Sequence, residues 1–143
     1  MEWVEVPSDK LLAPHKEKIK NVELQVFVSP HDVPRRVRGA YDEITNHFVI
    51  EFRYIDDDHF DTPHISDDGV VTVFTGAFSG RIGKIDVDVQ KVSAQAVSLK
   101  IAAIHVAENY LQRFANAQTT LASRLNSQAA KEALEFSYPQ FAT

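Results

Sequence analysis

Val22, Leu24, Val26 and Val28 alternate with Glu23, Gln25 and Phe27, a period of two that predicts a strand with one mainly apolar face. Two prolines in residues 29–34 end it. Residues 36–41 predict a short strand in which Val37 is the apolar contributor and Gly39 marks a bulge or a close approach. After a turn at residues 42–46, Phe48, Ile50, Phe52 and Tyr54 share one face, against Val49, Glu51, Arg53 and Ile55. Residues 56–68 read as an acidic loop. Residues 70–75 and 82–89 then form a strand pair around the GAFSGR connection at residues 76–81. On the second of these strands, Ile82, Lys84, Asp86 and Asp88 are assigned to a wet face and Ile85, Val87 and Val89 to a packed one. This predicts an antiparallel meander of four to five strands over residues 22–89, preceded by an N-terminal arm at 1–21.

The period changes near Lys91. From Lys84 to Tyr138 there is no Gly and no Pro, whereas all five Gly lie between residues 39 and 83. A helix is predicted from an N-cap at Ser93 to about Ala115. Its polar positions Ser98, His105, Asn109, Gln112 and Asn116 fall in one stripe about 60° wide at the helical period, flanked by Glu108 and Arg113. Nearly everything else on the cylinder is apolar, about twice the arc of an ordinary surface helix. Residues 117–137 carry Leu121, Leu125, Ala129 or Ala130, Ala133 and Leu134 at helical spacing. That face is thin and diluted with Gln, Thr and Ser, and predicts a partly exposed second helix or an arm reaching a neighbour.

The fold expected is therefore a single α+β domain over residues 1–143, with a β-meander at 22–89 and a helical half at 92–137. One small sheet does not cover so wide an arc. Homodimerisation through the helices is the preferred cover, with Val97, Ile101, Ile104, Leu111 and Phe114 as the contact residues. The alternative is a monomer in which Trp3, Val4, Val6, Leu11 and Leu12 of the N-terminal segment close the surface.

Composition narrows the classes. A length of 143 residues suits one core. The absence of cysteine removes disulfides, thiol nucleophiles and thiolate metal sites, and fits a cytoplasmic location. The N-terminus has neither a basic region nor an apolar core of signal-peptide type, and no apolar run approaches the ~20 residues of a membrane span. The net charge of −5 is uneven: residues 41–89 alone carry −8. Such a field opposes phosphate backbones, so nucleic-acid binding through the β half is not expected; with no spanning run, a membrane partner is not expected either.

Three pieces in the β half stand in a telling order: AYDEITNHFVIEF at 40–52, DDGVVTVF at 67–74 and GRIGKIDV at 80–87. That order resembles the domain of unknown function 2283 family of small bacterial proteins. In that family a Tyr-Asp turn leads into a strand, and an Asp/Glu-Gly strand start and a closing Gly-x-hydrophobic strand follow. Tyr41, Asp42, Asp68, Gly69, Gly80, Ile85 and Asp86 occupy those places. The chain departs from the pattern at Lys84, with Gly83 one place early, and in its more acidic spacer. The resemblance implies an interaction role at most and supplies no catalytic residue.

Candidate chemistry is sparse. The acidic loop holds six Asp and two His, and His59 with Asp61 or His64 is a conceivable metal set. The loop does not fit an EF-hand, and the plainer reading is a solvated segment that guards strand edges. Arg35, Arg36 and Arg38 near a strand start could grip a small anion or an acidic partner, or simply charge an edge strand. His105 sits on the polar stripe with no nucleophile in view. No phosphate loop, dinucleotide fingerprint, nucleophile elbow or His-Glu-x-x-His motif occurs, and no cofactor is expected. The expectation is a non-enzymatic interaction or structural module. The rival is a small-molecule binder or enzyme with a pocket between sheet and helix lined by Phe48, Phe52, Tyr54, His105 and Tyr110.

Overall fold

The computed structural model describes residues 3–7, 15–19, 22–26, 31, 34–92, 99–117, 121–137 and 139. The strands are β1 (Trp3–Glu5), β2 (His15–Ile19), β3 (Val22–Val26), β4 (Arg36–Asp42), β5 (His47–Arg53), β6 (Thr62–Ile65), β7 (Val71–Thr75) and β8 (Ile82–Asp88). A 3-10 turn at Val89–Lys91 precedes the helices α1 (Leu99–Asn116) and α2 (Leu121–Ser137). The expected Ser93 cap and Val97, like Leu11 and Leu12, lie outside the described residues.

The architecture is α+β, as the change of period near Lys91 predicts. Six strands form one antiparallel sheet in the order β1-β4-β5-β8-β7-β6, while β2 and β3 pair separately. The strand count exceeds the four to five expected, because the N-terminal arm supplies β1 and β2 and the acidic loop contains β6. The path is also not a plain meander. From β5 the chain crosses to the far edge as β6, and β7 and β8 then return it so that β8 pairs with β5.

The crossing explains the acidic segment. Residues 54–61 run past the β7–β8 turn and are stitched to it: Asp58 accepts from Ser79 Oγ (2.6 Å), Ser79 N (2.9 Å) and Phe78 N (3.3 Å), and Ala77 N donates to His59 O (2.9 Å). Phe60 stacks on Tyr54 at 5.8 Å and lies where a side chain on Gly83 would stand.

One assignment of faces is corrected here. Ile82 belongs to the core, at 1% exposure, not to the wet face with Lys84, Asp86 and Asp88. Phe74 pairs with Lys84 but Thr75 pairs with Ile82, so Gly83 is an extra residue opposite a single step of β7. This bulge lets Ile82 and Ile85 both face inward.

The inner face of the sheet carries Val37, Phe48, Ile50, Phe52, Val71, Val73, Ile85 and Val87, all buried. Onto it pack α1, over β7 and β8, and α2, over β4 and β8. The helices pack on each other, and Ala103 and Ala107 of α1 and Ser127, Ala130 and Ala133 of α2 are buried. The second helix thus closes the core and is not an outlying arm. Its serines mislead a polarity reading, since Ser127 and Ser137 are buried for their size. Gly39 is the close approach expected: a Cβ there would stand 3.0 Å from Ser137 Cβ.

The outer face is polar. Across it run Glu5, Arg38, Glu51 and Lys84 on neighbouring strands, opposite charges side by side. Arg38 also lies over Trp3 at 4.1 Å and Lys84 over Phe74 at 5.5 Å. His47 Nδ1 is 2.5 Å from Asp86, with Asp88 3.6 Å from its other nitrogen.

Candidate ligand-binding groove

Tyr110, Arg113 and Phe114 stand at i, i+3 and i+4 of α1 and therefore share one helix face. The fold sets that face beside the β6–β7 turn. Between them lies a groove of about 210 Å³ lined by Ile65, Ser66, Asp67, Tyr110, Arg113 and Phe114.

The turn wall is rigid. Asp68 accepts from Ser66 Oγ (2.6 Å) and Val70 N (3.0 Å), Ser66 Oγ accepts from Val71 N (3.0 Å), and Gly69 supplies the positive φ of 74°. The Ser66 hydroxyl, then the Val70 amide, hold the Asp68 carboxyl below its ordinary range, and the field of Arg113 adds to this. Asp67 is thereby presented to solvent from a fixed backbone. On the helix wall, Phe114 is held by an edge-on contact with His64 at 5.3 Å and a tilted one with Tyr110 at 6.3 Å. Ile65, 62% exposed, forms the apolar lip.

The polar groups of the groove are uncommitted. Among the described residues, the Tyr110 hydroxyl, the Arg113 guanidinium and the Asp67 carboxylate have no hydrogen-bond or ion-pair partner. Burial pushes the Tyr110 hydroxyl up, while Arg113 draws it down and Asp67 pushes it up, so both charges act on the same phenol. Convergent polar groups on an apolar wall are the usual make-up of a small-molecule site, and the volume places this one at the small end.

The sequence-predicted sites fare differently. Of the aromatic pocket, Phe48, Phe52 and Tyr54 are buried in the close-packed core, and the Tyr54 hydroxyl donates to Ile82 O at 2.5 Å. His105 is exposed on another face of α1, so of that set Tyr110 alone lines this groove. Arg36 is paired with Glu5 at 2.6 Å and Arg38 with Glu51 at 3.0 Å, which disperses the arginine cluster; Arg35 is exposed. His59 faces Phe78 at 6.4 Å, His64 contacts Thr75 Oγ1 at 2.9 Å under Phe114, and Asp61 is exposed. Among the described residues, no three His, Asp or Glu are gathered as a metal would need. Of the expected interface, Ile104 and Leu111 lie in the chain's own core, Phe114 lines the groove, and Ile101 is 41% exposed.

Sequence reasoning missed Asp67, Ser66, Ile65 and Arg113 as groove residues. The i, i+3, i+4 spacing on α1 was a visible signal, but nothing local places the β6–β7 turn beside it. The fold defines an α+β protein in which a helical hairpin covers one face of a six-stranded sheet. No family model, curated protein or solved structure matches the chain. No helix among the described residues is long and apolar enough to cross a membrane.

Proposed function

We propose that this protein is a non-enzymatic binding module whose ligand site is the groove between the β6–β7 turn and α1. One observation carries the reading: three polar groups without partners among the described residues, on Asp67, Tyr110 and Arg113, converge on one groove with an apolar wall. Phe48 and Phe52 are buried at the helix–sheet contact, which favours a module over an enzyme with an open cleft between the layers. The likeness of residues 40–89 to the domain of unknown function 2283 family stays part of the proposal and contributes no residue to the site.

The test is a set of amide nitrogen–proton correlation spectra with a library of small fragments. Binding at the groove moves the resonances of residues 65–67 and 110–114 together. Shifts scattered over the surface, or centred on another face, would refute the assignment.

A further inference from the structure

Size, charge and lining together restrict what the groove takes, provided that it is the ligand site. At ~30 Å³ per water, 210 Å³ holds about seven waters. That is room for a molecule of roughly ten non-hydrogen atoms, well below the ~300 Å³ at which drug-sized pockets begin. The two walls carry opposite charges, Arg113 on the helix and Asp67 on the turn. They are not paired with each other, and the Tyr110 hydroxyl lies within the field of both.

A simple anion would meet Arg113 but be repelled by Asp67 and by the ionised Asp68 behind it. A simple cation would meet the acids and be repelled by Arg113. A molecule with both charges a few bonds apart satisfies both walls at once, with its dipole aligned across the groove from one wall to the other. The rings of Tyr110 and Phe114 on the helix wall and the side chain of Ile65 at the lip accept a short apolar group, and the ring faces also favour an ammonium. The Ser66–Asp68 turn and the His64–Phe114 contact fix the walls beforehand, so little ordering is needed on binding.

We infer that the groove binds a small zwitterion, a free α-amino acid with a short apolar side chain. Its carboxylate is bound by Arg113 and the Tyr110 hydroxyl, its ammonium by Asp67, and its side chain lies between Ile65 and Phe114. The neutral Tyr110 phenol donates its proton to the carboxylate, and the guanidinium supplies the charge-assisted contact.

The experiment titrates the full chain with L-leucine, N-acetyl-L-leucine, L-leucinamide and 3-methylbutan-1-ol, following the amides of residues 65–67 and 110–114. Leucine is expected to bind tightest, with loss of either charge weakening it about tenfold, as expected for one charge-assisted hydrogen bond. In Arg113→Gln the preference for leucine over leucinamide disappears while that over the N-acetyl compound stays, and Asp67→Asn does the reverse. Both residues are exposed, so neither substitution threatens the core. Equal binding of all four probes at the groove would overturn the zwitterion and leave the binding-module reading standing. A preference for one singly charged analogue, unaltered by the two substitutions, would overturn it as well. No response of the groove to any probe would sink the zwitterion, and silence in the fragment spectra too would sink the groove.

Discussion

Asp58 shows how much a single acid can do without chemistry of its own. Its carboxylate collects the Ser79 hydroxyl, the Ser79 amide, its neighbour's amide at His59 and the Phe78 amide, and these hold it down from 3.8 to about 2. A carboxyl lowered on folding stabilises the protein where it is ionised. Its contribution is complete above the unfolded value near pH 4 and is lost as pH falls through about 2. Asp58→Asn is therefore expected to lower the melting temperature at pH 7, with the difference from the parent shrinking between pH 4 and pH 2. Thermal melts of both proteins across that range check it, and a difference independent of pH would mean that the carboxylate charge is not what pins the turn. In the sequence this residue is one of six aspartates in an acidic run. Nothing local tells it from Asp57, which is exposed and makes no such contacts, because the partner turn lies some twenty residues further on.

At the level of elements, the strands of the sheet centre, the turns at 42–46 and 76–81 and the first helix were legible in the sequence, while the crossing from β5 to β6 was not. Phe48, Ile50 and Phe52 alternate because β5 is central and faces the helices on one side; all three are buried in the structure, and Val49 on the other face is buried as well. The period fails at Ile82, where the bulge at Gly83 shifts the alternation by one residue, and at β6, whose Pro63 argues against a strand. An edge strand tolerates that proline, since only one side of it needs ladder bonds. The bulge itself is built around a missing side chain. Gly83 carries the Phe60 ring where a Cβ would stand, whereas Gly80 has φ of 70° and nothing within 4 Å of its Cβ position. Gly83→Ala is thus a packing fault, expected to destabilise by about 1–3 kcal/mol through displacement of Phe60. Urea denaturation measures the loss, and the ring-proton shifts of Tyr54 in nuclear magnetic resonance spectra report the Tyr54–Phe60 stack. Phe60→Ala in the Gly83→Ala background should add less than it does alone, and full additivity would show that the two do not compete for one space.

For the whole molecule, the apolar arc of α1 raises the question of what covers it. It exceeds what a sheet face conceals, and self-association was the expected answer. Yet α2 lies along α1 within the same chain, and Ile104 and Leu111 point into the core that the two helices share with β7 and β8. The sequence concealed this because Ser127, Ala130, Ala133 and Ser137 of α2, side chains that score as polar or neutral, are all buried, Ser137 against Gly39 of β4. At the six-stranded sheet the other common route to association, pairing of edges, is poorly provided: β1 has three residues, and β6 has four with Pro63 among them. Both routes being weak, native mass spectrometry of the untagged chain at micromolar concentration is expected to give 16.1 kDa. Among the described residues, Ile101 is the expected contact residue still substantially open, so Ile101→Lys should leave that mass and the melting temperature nearly unchanged. A doubled mass that Ile101→Lys returns to a single chain would restore the helix-mediated dimer. It would also place a second copy close to the helix that carries Tyr110 and Arg113, and the groove would then have to be read as part of an assembly.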